Sequence, residues 1–377
     1  MKRLSVIAGT GLGLAFLSQI LYYVCARHPE WTLRWYYHGL FPWIRRFLSG
    51  LLGWLPIPFL YLLLLLTMIW LVAAGRLIWR NTTTWWRRTL YLLLQVGGVA
   101  GYVVACFYWL WGYNYATPSV RQRLNLETAG MQDSAISQEF HWISDSLYYY
   151  TDSPPIALLR SSGFQEPDGW IREMNAAVKQ TLELLSWPCP GEIPVRKIWP
   201  NGALLRIETA GFYLPLTGEA HFDAGMYPLQ WPYVVAHELF HAYGITDEGD
   251  CNFLALITCW HSDNPVFKYS ALMAYWRQVA PEYRRFHKEE FASLMDSIPP
   301  AVRTDLESIH KYLDRYPDLF PKMRHAVYNS YLKAHGIREG MASYNEVITL
   351  LDAWKKAYGV PFIPEVTSSG KPRLPHQ

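Results

Sequence analysis

Residues 234–253 read V-V-A-H-E-L-F-H-A-Y-G-I-T-D-E-G-D-C-N-F. The His237-Glu238-x-x-His241 spacing in this run is that of two metal-binding imidazoles with a carboxylate between them, the pattern of a zinc-hydrolase helix. Four residues make about 1.1 turns of α-helix, so both rings leave one face and can grip a single tetrahedral ion. Glu238 then lies beside the ion's open position, where a carboxylate can take a proton from water whose pKa the ion lowers to roughly 7. Two core histidines on a helix satisfy the same pattern. The setting favours the metal: Trp231-Pro232-Tyr233-Val234-Val235-Ala236 is an apolar helix start and Gly244 an αL stop, giving a short buried helix that ends just after the second histidine.

Catalytic zinc has three protein ligands and an open position, so one more ligand must follow. Asp247, Glu248 and Asp250 compete. With Gly244 turning the chain, His-Glu-x-x-His-x-x-Gly-x-x-Asp would use Asp247. The other reading starts a second helix near Asp247, with Asp247 as N-cap and Asp250 at N3. Glu248 and Asn252 then fall at i and i+4, a spacing that suits a ligand and a partner able to orient a histidine through its other ring nitrogen. Glu248 leads, although an acid at that place also suits the helix dipole.

The elements that position these groups come from periodicity. Residues 168–187 have an amphipathic helix pattern, with Trp170, Ile171, Met174, Ala177, Val178, Leu182 and Leu185 toward one side. Runs at 193–199, 203–208 and 211–216 read as strands leading through Thr217-Gly218-Glu219-Ala220-His221-Phe222 into the motif helix. An edge strand there either pairs with an extended substrate or is purely structural. From residue 252 onward the pattern is helical, at 253–259, 267–279, 289–296, 301–312, 323–334 and 343–358. The fold class is mainly α (α+β).

Of the 377 residues 51% are hydrophobic, with 18 Trp and 26 Tyr, and the apolar content is uneven. No charged residue occurs over 4–26, 47–75 or 89–120. Each gap can hold an apolar stretch of about 20 residues, enough to cross a bilayer. Transmembrane helices are expected at 4–25, 51–74 and 90–112, flanked by Tyr22, Tyr23, Trp54, Trp70, Trp79, Trp85, Trp86, Trp109 and Trp111. Lys2-Arg3 before the first also fits a signal peptide, but no clear A-x-A site follows. The domains are therefore 1–115, a membrane region; 116–365, a soluble domain; and 366–377, a frayed tail. Residues 30–50 interleave aromatics with arginines and are expected in the headgroup region. Lys2 and Arg3 tip the loop charges so that the N-terminus lies in the cytoplasm and the soluble domain outside, although Arg121 and Arg123 argue the other way. A net charge of +3 points to no nucleic-acid partner. Of the five cysteines, Cys25 and Cys106 lie in or beside spans and Cys251 and Cys259 sit two turns apart on one helix, which is no disulfide framework.

The chain resembles the bacterial membrane proteins grouped as domain of unknown function 3810. The resemblance is carried by Trp109-x-Trp111-Gly112-x-Asn114-Tyr115, Thr217-Gly218-Glu219-Ala220, Ala236-His237-Glu238-x-x-His241, Asn252-Phe253-Leu254-Ala255, Tyr331-Leu332-Lys333-Ala334 and Ser343-Tyr344. Where members show Glu-Asp-Glu-Ala-Asn, this chain has Glu248-Gly249-Asp250-Cys251-Asn252. That segment is also similar to the Glu-x-x-Ala-Asp motif of membrane gluzincin peptidases, whose first Glu binds zinc. The resemblance thus implies a zincin-like domain in a bacterial cytoplasmic membrane, with one Zn2+ per chain on His237, His241 and Glu248. Asp250 and Cys251 depart from the usual pattern. The expected activity is zinc-dependent hydrolysis of a peptide or other amide, with Glu238 as general base and Asn252 as a supporting partner. An oxyanion donor is also needed; Tyr331, His335, Arg338 and Tyr344 have suitable chemistry on a later segment, but a surface or packing role is the leading reading for each. His221 and His261 stand at no ligand spacing. The contrasting expectation is a membrane sensing or scaffold protein whose metal site is structural or lost. Cleavage inside the bilayer is weaker, because the motif lies more than 100 residues beyond the last apolar span.

Overall fold

The computed structural model describes residues 2–128, 133–164, 166–319 and 346–359. It is mainly helical with one small sheet, and the chain divides into two compact units. The first comprises residues 1–118 together with 190–196 and 214–219; the second comprises 119–189, 197–213 and 220–377.

Among the described residues, three helices are long and apolar enough to cross a membrane. They are α1 (Lys2–Arg27), α3 (Phe59–Asn81) and α4 (Trp85–Leu110), with α2 (Phe41–Leu52) between the first two. The second span is expected at 51–74 but runs about seven residues later. Pro56 and Pro58 break the chain after α2, and the helix then carries on through Arg76 and Arg80, whose long stems let the charges reach a membrane surface. Small residues set the α1–α4 contact. A Cβ on Gly11 would stand 2.2 Å from the Gly98 carbonyl oxygen, and one on Gly98 2.5 Å from Ala8 Cα, so the two backbones touch as only glycine allows. Thr10 with Tyr102 (2.5 Å) and Tyr108 with Gln19 (2.9 Å) add hydrogen bonds along the same seam.

Residues 30–50 are helical almost throughout, and their aromatics divide into two sets. Trp31, Trp43 and Phe47 are exposed, but Tyr36, Tyr37 and Phe41 are buried, and Tyr36 donates to the Trp109 carbonyl across 3.0 Å. Aromatic spacing shows an interfacial composition but not which rings have a partner. The two later excursions into this unit are tied by hydrogen bonds: Arg45 donates to the Gly218 carbonyl (3.2 Å), the Phe59 N–H to the Glu219 carboxylate (2.9 Å), and Ser49 to the Glu192 carbonyl (2.6 Å). The first continuous stretch of this unit ends at residue 118.

In the second unit the described helices include α5 (Asp133–Thr151), α6 (Pro154–Ser161), α7 (Trp170–Leu184), α8 (Trp231–Ala242), α9 (Glu248–His261), α10 (Pro265–Phe286), α11 (Pro300–Leu313) and α12 (Glu346–Tyr358). Residues 249–259 are buried without interruption, because C-N-F-L-A-L-I-T-C leaves α9 no polar face; α7, α8, α10 and α12 pack around it. On α7, Trp170, Met174, Val178 and Leu182 turn inward at the expected period.

Strands β1 (Val195–Ile198), β2 (Gly211–Leu214) and β3 (Glu219–Asp223) form a sheet in the order β1-β3-β2, so β2 is an edge. The strand expected at 203–208 is instead a turn containing one 3₁₀ segment, Leu205–Ile207. The buried Asp223 carboxylate accepts the N–H groups of Gly202, Leu204, Leu205 and Gly225, which curls this segment around one side chain. The third strand is Glu219–Asp223, in the stretch that leads into the motif helix.

Candidate metal centre

Helix α8 begins with Pro232 in its first turn, where a missing N–H costs nothing, and its last hydrogen bonds run into Gly244 at φ +92°. His237, Glu238 and His241 are 9%, 5% and 9% exposed. After the Gly244 turn the Asp247 side chain accepts the Asp250 N–H (3.1 Å) and starts α9. Glu248, the first residue of that helix, thereby faces the histidines.

Three ligand atoms converge. His237 Nε2 lies 3.0 Å from His241 Nε2 and 3.1 Å from Glu248 Oε2, and His241 Nε2 lies 3.5 Å from the same oxygen. Tetrahedral zinc with bonds of about 2.0–2.1 Å sets its ligands roughly 3.3–3.4 Å apart, so the donor set fits such an ion. Each ring is held by its other nitrogen: His237 Nδ1–H donates to Asn252 Oδ1 (2.9 Å), and His241 Nδ1–H to the Ile245 carbonyl (2.8 Å). Those acceptors keep the Nε2 lone pairs turned toward Glu248. Tyr233 donates to Asn252 Oδ1 in turn (3.2 Å), and the Cys251 sulfur lies 3.4 Å from His241 Nδ1.

Burial opposes charge on both His241 and Glu248. The Cys251 sulfur and the Glu248 carboxylate nevertheless hold His241 well above the ordinary imidazole value. The two rings hold Glu248 well below the usual carboxylate range. Burial pushes Glu238 up to about 7, against the pull of both histidines. Glu238 Oε2 is buried and has no hydrogen-bond partner among the described residues.

Asp247 and Asp250 have other work. Asp247 caps α9, and the Asp250 carboxylate accepts the Val120 N–H at 2.9 Å, so neither joins the three-atom group. His221 is buried on β3 and stacked on Phe212 with ring centroids 4.7 Å apart; His261 ends α9. Both lie outside the group. Tyr331, His335, Arg338 and Tyr344 lie outside the described residues, as do Tyr331-Leu332-Lys333-Ala334, Ser343-Tyr344, the helix expected at 323–334 and the tail at 366–377.

A family model described as "Protein of unknown function (DUF3810)" matches residues 36–351. The chain belongs to this family. No curated protein and no solved structure matches it. The matched span includes the three converging ligands and the β2 edge strand.

That strand holds residues whose role the motif alone does not show. A Cβ on Gly211 would stand 2.9 Å from both Glu238 Cγ and Oε1 and 2.7 Å from the His221 carbonyl oxygen, so only glycine lets β2 lie this close. The Tyr213 backbone also hydrogen-bonds the Glu238 carboxylate. A glycine opening a strand is a sequence signal for close approach, but it does not say to what. Tyr233 had a weaker signal: it stands four residues before His237 on one helix face.

Proposed function

We propose that this chain is a membrane-anchored zinc metallopeptidase, hydrolysing a peptide or other amide bond, with one Zn2+ held by His237, His241 and Glu248. The supporting observation is the convergence of two ring nitrogens and one carboxylate oxygen within 3.0–3.5 Å, with a buried, unpartnered carboxylate oxygen of Glu238 beside them. Two imidazoles and a carboxylate are a donor set suited to zinc. The ion when bound supplies Lewis acidity, polarising a carbonyl and lowering the pKa of water.

The remaining roles belong to the chain. Asn252 and the Ile245 carbonyl orient the two rings. Glu238 takes a proton from the attacking water and passes it to the leaving amine, a task suited to a carboxylate raised by burial toward neutral pH. The apolar body of α9 excludes bulk water behind the ligands. The soluble unit is placed on the extracytoplasmic side of a bacterial inner membrane on the strength of the Lys2-Arg3 charge bias. The lipid bilayer is the one partner the chain's composition specifies.

The test is elemental analysis of detergent-purified protein and its variants. Glu238→Gln is expected to retain one zinc per chain and lose hydrolysis of a verified substrate. His241→Ala and Glu248→Ala are expected to lose the zinc, whereas Asp247→Ala retains it. A well-folded wild type without metal, or full turnover by Glu238→Gln, overturns the reading.

A further inference from the structure

The hydrogen bonds behind His237 do not stop at Asn252. They continue through Tyr233 to Gln278, two residues that no step of the hydrolytic reading uses. Tyr233 stands in the first turn of α8 and is gripped twice by α10. Its N–H, which has no acceptor inside its own helix, donates to Ser270 Oγ at 3.1 Å, and its hydroxyl is hydrogen-bonded by the Gln278 side chain. Gln278 Oε1 is buried with no partner among the described residues, so that bond runs from Nε2–H to the phenol oxygen. Burial raises the Tyr233 phenol above its ordinary value, which keeps the proton on it. With Gln278 donating on one side, the hydroxyl sends its own proton toward Asn252, where Oδ1 lies at 3.2 Å and the backbone carbonyl at 3.3 Å.

The direction of this chain matters because an amide can turn either end to a neighbour. Oδ1 facing His237 calls for a proton on Nδ1 and leaves Nε2 bare for a metal. Nδ2 facing it would make Nδ1 an acceptor and move the proton to Nε2, between His241 and Glu248. Glu248 Oε2, 3.1 Å from Nε2, is itself an acceptor that favours this second tautomer before an ion binds. Something must oppose it. Asn252 Nδ2 is buried with no partner among the described residues, so nothing there holds the amide by its nitrogen. The two donors that meet on Oδ1 decide how it sits, and one of them is the Tyr233 hydroxyl. The neighbouring backbone carbonyl can only accept, which keeps the hydroxyl proton on the Asn252 side.

We propose that Gln278 and Tyr233 are positioning residues that lock the Asn252 amide with Oδ1 toward His237 and so select the metal-binding tautomer of that ring. The inference rests on the metal reading above. The test is zinc affinity by chelator competition on the full chain in detergent, with thermal unfolding alongside. Tyr233→Phe removes the donor and fills the same space; it should weaken zinc binding about ten-fold, the low end for groups behind a metal ligand. Gln278→Glu puts an acceptor where the donor stood, draws the phenol proton away from Asn252, and should weaken zinc binding similarly; it keeps the test decisive if Tyr233→Phe does not fold. Asn252→Asp supplies the control. A carboxylate has two accepting ends and no wrong orientation, and because Nδ2 has no partner among the described residues the change gives up no hydrogen bond there. In the Asn252→Asp background both substitutions should leave zinc affinity within about two-fold, the scatter of independent sites. A wild type that holds no zinc overturns the metal centre and this inference with it. A wild type that holds zinc, with affinity unchanged in both single variants or lost equally in the Asn252→Asp background, overturns the positioning role alone and leaves Tyr233 a packing residue.

Discussion

Glu238 is held by contacts that its motif does not mention. β2 reaches its carboxylate only because residue 211 is glycine. Gly211→Ala must displace the strand or the carboxylate, and overpacking of this kind costs about 1–3 kcal/mol. Zinc stoichiometry should be unchanged while turnover falls at least about ten-fold, since a shift near 1 Å in a catalytic group carries penalties of that order; thermal unfolding and steady-state kinetics measure the two effects. Asn252 acts through His237. Asn252→Ala removes the acceptor from Nδ1, and the expected loss is about 10–100-fold in metal affinity, read by chelator competition. Both predictions separate a positioned centre from two histidines that happen to share a helix face.

At the scale of elements, α9 carries Glu248 and Asn252 and depends on its neighbours for its place. Its start is fixed by the Asp247 cap and by the Asp250 carboxylate on the Val120 N–H. Its body packs against α12, where Phe253 meets Trp354 with centroids 5.7 Å apart. α12 is anchored on α5 by Lys355, whose ammonium reaches Glu139 Oε1 at 2.5 Å and lies 3.9 Å from the Trp142 ring centre. With side chains 12% and 9% exposed, this pair is buried, and removing one partner strands the other charge. Lys355→Met should therefore destabilise by about 3–5 kcal/mol. Adding Glu139→Gln, which still accepts from Tyr275, should recover much of the loss, as denaturant unfolding of the single and double variants would report.

For the molecule as a whole, acid stability carries a signature from His261 at the end of α9. Burial lowers its pKa from 6.5 to about 4. The unfolded chain takes the proton near 6.5 and the folded chain only near 4, so between these values acid favours unfolding. The contribution of this group is intact above pH 6.5 and declines as pH falls toward 4. His261→Gln should flatten that part of the melting-temperature profile relative to wild type. Retention of the full wild-type slope in the variant would remove His261 as the cause.

The chain alone determined what is local and periodic. Charge-free runs long enough for a bilayer marked three apolar helices, and i, i+4 spacing put two imidazoles on one face. Glu248 was favoured by its place relative to Asn252, one helical turn away. Tertiary structure decided what depends on partners distant in sequence. The break at Pro56 and Pro58 moved the second span, because hydropathy registers apolar content and not where a helix can start. Asp223 gathered four N–H groups and turned an expected strand into a loop, a choice made by a carboxylate about 20 residues away. Asp247, Glu248 and Asp250 have the same chemistry within four residues, and only the direction in which α9 leaves the Gly244 turn brings one of them to the rings. The closeness of Gly211 to Glu238 is likewise a contact between a strand and a helix, and no spacing along the chain encodes it.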